Sequence, residues 1–340
     1  MLRFIDGFDH YVTADIAKKW TTYVGNSSIV AGRGRRGTAA AHVIGATSHF
    51  RKDFDAQPTW IVGFAHYFVD YPSNTCSIFE WRDTALALQC DLRVTPLGEL
   101  QVTRNGTVLG TSTLRLVSTA YQYIEMALTI HATTGSALVR VNEVPWLTLT
   151  NVNTQATANA SALSLQIGQM IASGISLQQD IDDLYICDGT GGAPHNTFLG
   201  DCRVDCLYPN ADGSNSAWTV STGTTHYTLV DETTPNGDTD YLITTTAGAR
   251  DTHNLTNLPT LPGSVVYGVQ HSLYARKDDA GLRQVKSVLK SGATTQVGTA
   301  LHTLATSYIY YSELFTTDPN TGAAWTIAAV DALEAGIEGQ

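Results

Sequence analysis

Apolar residues in this chain recur at every second position, in short runs bounded by Gly, Asn and Pro. That spacing places one side chain in two on a buried face, which is the pattern of a half-buried β-strand and not of a helix. The clearest runs are Trp60–Phe68, Cys76–Trp81, Ala85–Cys90, Leu97–Val102, Tyr121–Ile130, Ser136–Asn142, Val144–Leu149, Ser164–Gly168 and Gln179–Cys187. The Asn105-Gly106 pair between two such runs is a hairpin signal, because both residues tolerate the positive φ that a tight turn needs. Short strands at even spacing predict an all-β sandwich. A short helical turn is expected over Ala14–Trp20, and residues 324–336 read as a terminal helix, with Trp325, Val330, Leu333 and Ile337 forming one stripe.

A chain of 340 residues exceeds what one hydrophobic core usually serves. The segment Asp188–Asn196 is rich in Gly and closes on Pro194, so it is the best linker. The expected division is therefore a laminin-G-like β-sandwich over 1–190, a linker at 191–199, and a second β-sandwich with a short C-terminal helix over 200–340. Strands of the second domain are expected at Asp201–Tyr208, His226–Val230, Thr239–Thr244, Ser264–Ala275, Leu282–Lys290 and Tyr308–Glu313.

Charge narrows the partners. The formal net charge is −11, and 20 Lys plus Arg are spread thinly, so no basic stripe exists to neutralise phosphates; nucleic acid is not expected as a partner. An acidic surface also disfavours an anionic membrane. The amino terminus is interrupted at once by Asp6 and Asp9, so no signal segment is expected and synthesis in a cytoplasm is. Five cysteines at irregular spacing predict free, buried thiols rather than a disulfide framework.

Two groups of residues resemble a known class. Asp6-Gly7-Phe8-Asp9-His10-Tyr11 with Lys19-Trp20, and Ile181-Asp182-Asp183-Leu184-Tyr185, resemble the laminin-G-like or concanavalin-like sandwiches of tailed-phage virion proteins. Gly200-Asp201-Cys202-Arg203-Val204, Tyr208–Gly213 with Trp218, and Asp318-Pro319-Asn320-Thr321-Gly322-Ala323-Ala324-Trp325-Thr326 are similar to the second domain of such proteins. The resemblance implies a non-enzymatic structural protein of the tail, fibre, baseplate or capsid surface, located in the virion. Its partners would be other virion proteins and copies of itself. It transfers no catalytic residue and no cofactor. The alternative is a glycan-binding receptor-recognition module, and beyond it a glycoside hydrolase.

Asp180 and Asp182 alternate with Asp183, so a straight strand would turn them to opposite faces and divide a metal site. Asp231, Glu232, Asp238 and Asp240 surround the turn Pro235-Asn236-Gly237 and are weak calcium candidates. A retaining hydrolase needs two carboxylates about 5 Å apart. Glu80 with Asp83, or Glu125 alone, lie on plausible strands without supplying that spacing. His42, His49, His66 and His131 lack zinc-ligand spacing, and no Gly-x-Ser-x-Gly nucleophile elbow is present.

The remaining candidates concern assembly. Gly32-Arg33-Gly34-Arg35-Arg36-Gly37 lacks the Lys-Ser/Thr ending of a phosphate loop, and reads as an exposed hairpin tip whose Arg33, Arg35 and Arg36 grip an acidic neighbouring subunit. The uncharged segment Val152–Ser161 and the stripe led by Trp325 are further expected contacts of a homo-oligomer. Charged residues make up only 15% of the chain, which favours polar and aromatic contacts over ion pairs.

Overall fold

The computed structural model describes residues 1–169 and 177–340. The chain divides into two compact units, Met1–Val204 and Asp205–Gln340. Both are built from β-structure, and each is described by itself.

The first unit holds β1 (Leu2–Asp6), the short helix α1 (Ile16–Lys19), β2 (Thr22–Ala31), β3 (Ala39–Gln57), β4 (Thr59–Phe68), β5 (Cys76–Arg82), β6 (Leu88–Val94) and β7 (Glu99–Arg104). It continues with β8 (Thr107–Arg115), β9 (Gln122–Thr129), β10 (Gly135–Val141), β11 (Val144–Val152), β12 (Ala162–Gly168) and β13 (Gln178–Asp188). The hydrogen-bonded order is β11-β10-β9-β4-β13-β3-β12-β5-β6-β7-β8, with β1 added on β13 and β2 on β3. Strand β3 turns this ribbon of strands into a sandwich. Its residues 41–44 pair with β13, while residues 49–57 pair with β12. Between them Gly45 (φ 92°) and Thr47 (φ 66°) take left-handed conformations that bend the strand from one layer into the other.

The core lies between the layers. Trp60 of β4 stacks on Trp81 of β5 at 4.7 Å, and Phe64 of β4 meets Phe79 of β5 edge-on at 5.8 Å. Aromatic pairs of this geometry add to the free energy of burial itself. At the far ends the layers approach again, where Gly110 of β8 lies against Leu147 and Leu149 of β11. The expected Asn105-Gly106 hairpin is present, both residues having positive φ. A second two-residue turn, Asn142-Glu143, uses the same left-handed conformation between β10 and β11.

The Asp6…Trp20 motif is a buried polar knot. Asp6 accepts hydrogen bonds from Lys19 Nζ (2.9 Å), Tyr11 OH (2.9 Å), the Phe8 amide (2.9 Å) and Trp20 Nε1 (3.2 Å). Burial opposes the charge on Asp6, but Lys19, His10 and these donors outweigh it and hold the carboxyl below its usual range.

The second unit contains β14 (Pro209–Ser216), β15 (Thr219–Val220), β16 (Leu242–Ile243), β17 (Arg250–Leu255), β18 (Val269–Ala275), β19 (Gln284–Ser291), β20 (Thr294–Val297), β21 (His302–Thr303), β22 (Ile309–Phe315), the helix α2 (Ile327–Asp331) and β23 (Glu334–Gly339). Its main sheet runs β14-β17-β23-β19-β20, with β21 on β19; β18 and β22 form a separate ribbon. Leu289 of the sheet, Phe315 of the ribbon, Trp325, Val330, Leu333 and Ala335 share one core.

Several expectations are corrected. The helix expected over 324–336 is one turn only: Thr326 caps it through the Ala329 amide, and the chain then enters the sheet as β23 between β17 and β19. The apolar stripe is therefore divided between helix and strand. Residues 201–208 form no strand, and 227–229 are a 3₁₀ turn. The expected linker 191–199 and domain start at 200 also differ from the observed division, since residues 199–204 belong to the first unit. There the Leu199 amide donates to Tyr185 OH, the Gly200 amide to Glu125 and the Val204 amide to Asp183.

Candidate functional site

The non-core face of the layer β3-β12-β5-β6-β7 carries a row of polar side chains in strict register. Arg51 lies opposite Gln166, Gln166 opposite Glu80, Glu80 opposite Asp91, and Asp91 opposite Thr103. Strand alternation separates this row from the core, because the neighbours Phe50, Leu165, Ile167, Phe79, Trp81, Cys90, Leu92 and Val102 point inward and are buried. A solvent-facing row would ordinarily be exposed. Here Gln166 is 7%, Glu80 2%, and Asp91 and Thr103 0% exposed. A second row beside it contains Asp53, Ser164 and Arg82.

Arginines hold the carboxylates of both rows. Arg51 forks onto Asp53 with bonds of 3.0 and 2.8 Å. Arg82 donates one terminal nitrogen to Glu80 and the other to the Leu86 carbonyl at 2.8 Å. Arg93 Nε and the Thr103 hydroxyl donate to the two oxygens of Asp91. Among the described residues, Ser164 Oγ and Arg82 Nε are buried on this face without a hydrogen-bond partner. Leaving such atoms unmet costs free energy.

Burial raises the Glu80 carboxyl above its usual range; Arg82 opposes the rise and the adjacent Asp91 adds to it. Burial raises Asp91 in the same way, against Arg93 and Thr103. His49 lies two residues before Arg51 on the same face, opposite Gly168. Its Nδ1 is 3.0 Å from the Thr47 carbonyl, which only accepts, so Nδ1 carries the hydrogen and Nε2 keeps the lone pair. Burial lowers the His49 pKa, the Thr47 carbonyl opposes this, and the charges of Arg82 and Arg51 lower it further. Burial and both guanidiniums thus favour the neutral imidazole.

The residues singled out from sequence fall elsewhere. Glu80 is on this face, but its partner is Asp91, not Asp83; Asp83 instead fixes the 83–87 turn through the Ala85 and Ala87 amides. Glu125 is covered: it binds Tyr185 OH, the Gly200 amide (2.9 Å) and Arg140 (3.1 Å), and Phe198 lies under the Arg140 guanidinium. Arg33, Arg35 and Arg36 do grip acidic groups, but those of their own chain. Arg33 forks onto Asp180, Arg36 donates to Asp183, and Arg35 donates its amide to Asp182 and its guanidinium to Asp201. The expected division of Asp180 and Asp182 from Asp183 fails because the strand is irregular there, with Asp183 at φ 51°.

Trp325 is also internal, 3% exposed with Nε1 donating to the Phe315 carbonyl. The 152–161 segment is tied to its own chain, where Gln89 binds the Ala156 amide and the Asn159 and Ser161 carbonyls. The four calcium candidates do not converge. Asp238 binds Arg276 and Tyr308, whereas Glu232 and Asp240 both accept from the Asn236 amide. Among the described residues no group of three or more His, Cys, Asp or Glu is arranged to hold a metal, and no helix is long and apolar enough to cross a membrane.

Asp91, Gln166, Arg51 and Ser164 were missed by sequence reasoning. Register across five strands assembles them, and only the polar positions within otherwise apolar runs hinted at it.

No family model matches the chain, and no curated protein matches it. Solved structures do. A cellulose-induced protein, Cip1, is 16% identical with a TM-score of 0.40, covering 53% of this chain and 88% of its own. Alginate lyase Aly36B is 11% identical with a TM-score of 0.38, covering 54% and 95%. A sialidase is 10% identical with a TM-score of 0.36, covering 48% of this chain but only 16% of the sialidase. The expected virion structural role and the expected lack of activity are not carried forward; function is argued from this chain's own residues.

Proposed function

We propose that the first unit binds carbohydrate along the polar row Arg51-Gln166-Glu80-Asp91-Thr103. The carrying observation is that polar side chains from five strands stand in one register on the face turned away from the core. Four strand spacings make the row about 19 Å long, suited to an oligosaccharide more than to a single sugar. Guanidinium, amide, hydroxyl and carboxyl groups alternate along it, which matches the mixed donors and acceptors of sugar hydroxyls.

The test is calorimetric titration of the full chain with neutral and acidic oligosaccharides. Binding of at least one class is expected, and Gln166→Ala should weaken it at least tenfold. Failure of every sugar in the set to bind overturns the reading.

A further inference from the structure

We propose that the ribbon β18–β22 of the second unit is a flap released by acid, with His271 and His253 beneath it as the trigger. The ribbon's strands pair with each other, and among the described residues neither of them joins the main sheet. Packing of one face holds it down. Toward one end Val269 and Phe315 lie in the core of Leu289 and Leu333. Toward the other, Leu273, Ile309 and Tyr311 pack with Val285 and Leu304.

Between these two apolar clusters lies a polar layer. Alternation along the ribbon puts His271 on the face of Val269 and Leu273, and its cross-strand partner Glu313 on the face of Tyr311 and Phe315. The main sheet answers with Asp251, His253 and Ser287, which register places on the face of Ile337, Ala335 and Leu289. His302 joins them through its pairing with Val285. Buried atoms without a hydrogen-bond partner gather in this layer: Asp251 Oδ1, His253 Nδ1, His271 Nδ1, Ser287 Oγ, His302 Nε2 and Glu313 Oε2. Unmet polar atoms cost free energy on burial, so the flap is held at its two ends and weakly at its middle.

Acid charges this layer. Burial lowers His271 to about 4, and charge on His253 or His302 lowers it further. Burial lowers His253 to about 4 as well, with Asp212 opposing, His226 assisting and Glu334 opposing. Burial lowers His302 against Glu313. In a released flap the imidazoles take up protons near pH 6.5, whereas the docked His271 and His253 decline them until about pH 4. Docking is therefore fully supported above pH 6.5 and loses support as the pH falls toward 4. Asp251, raised by burial, acts in the opposite sense, one carboxyl against two imidazoles. Ser287, the contribution of β19 to the layer, carries no charge.

Hydrogen–deuterium exchange of the full chain tests this, read by mass spectrometry at pH 7 and pH 5 with labelling times matched to the intrinsic rates. A released two-stranded ribbon is marginal, so its own hydrogen bonds open. Exchange in 269–275 and 309–315 should rise at least tenfold at pH 5, while β19 and β23 stay protected. His271→Gln and His253→Gln each keep a polar side chain without the charge, and each should cut that rise at least threefold. The wild-type comparison alone overturns the proposal if the ribbon exchanges equally at both pH values, or if β19 and β23 open with it. An undiminished rise in either variant also overturns it.

Discussion

Glu80 on β5 and Asp91 on β6 stand directly opposite each other across an antiparallel pair, on the face turned away from the core. Side chains so paired lie about 5 Å apart at Cβ. Two buried carboxyls at that spacing oppose each other's ionisation, and each is answered by its own arginine, Arg82 for Glu80 and Arg93 for Asp91. The floor of the proposed site is therefore electrically tuned by four groups from two adjacent strands.

Replacing one member should move the other. Asp91→Asn removes a charge that helps to raise Glu80, so the Glu80 pKa should fall toward the ordinary carboxylate value. Carbon-detected NMR titration of the side-chain carboxyls would register the shift. An unchanged Glu80 would separate the two groups and remove the coupling.

The core between the layers depends on the Trp60–Trp81 stack. Trp81 is fully buried, so Trp81→Ala leaves a cavity that rigid strands cannot close, at a cost of about 3–5 kcal/mol. Urea unfolding should show a lower midpoint. A loss below 1 kcal/mol would mean that the layers repack freely.

Acid should destabilise the protein through its buried histidines. Burial pushes His66 and His253 down to about 4 each. The unfolded chain takes up these protons near pH 6.5 while the native state declines them until about pH 4. The stability they contribute is thus present above pH 6.5 and lost as the pH falls toward 4. Asp182, pushed up to about 7 chiefly by burial and then by Asp183, acts in the opposite sense: its contribution is present below about pH 4 and lost as the pH rises through 7. Thermal melts across pH 4–7 should show the acid loss, and His66→Gln should flatten it.

Truncation should distinguish residue 204 from residue 190 as the end of the first unit. A fragment 1–204 keeps the Leu199, Gly200 and Val204 amides on Tyr185, Glu125 and Asp183. A fragment 1–190 strips these partners from buried groups. The longer fragment should melt cooperatively and the shorter one should melt lower or aggregate. Equal stability of the two would return the boundary to the Gly-rich segment.

The sequence by itself determined the β class, the strand runs of the first unit and the Asn105-Gly106 hairpin, because alternation and turn chemistry act over neighbouring residues. It also made Asp6, Tyr11, Lys19 and Trp20 conspicuous as a motif, without showing that they meet in one buried knot. It misjudged the carboxy terminus, since Trp325, Val330 and Leu333 have helical spacing although the local chain is divided between one helical turn and a central strand. Arg33, Arg35 and Arg36 looked like an intersubunit grip, because their partners Asp180, Asp183 and Asp201 are remote along the chain. Tertiary structure alone decided the polar face. Arg51, Gln166, Glu80, Asp91 and Thr103 come from five strands, and each is an unremarkable polar residue within its own run. Only the register of four strand pairings places them in one row. Register is set by the bend of β3 at Gly45–Thr47 and by the fit of Trp60 on Trp81, both of which are long-range packing outcomes.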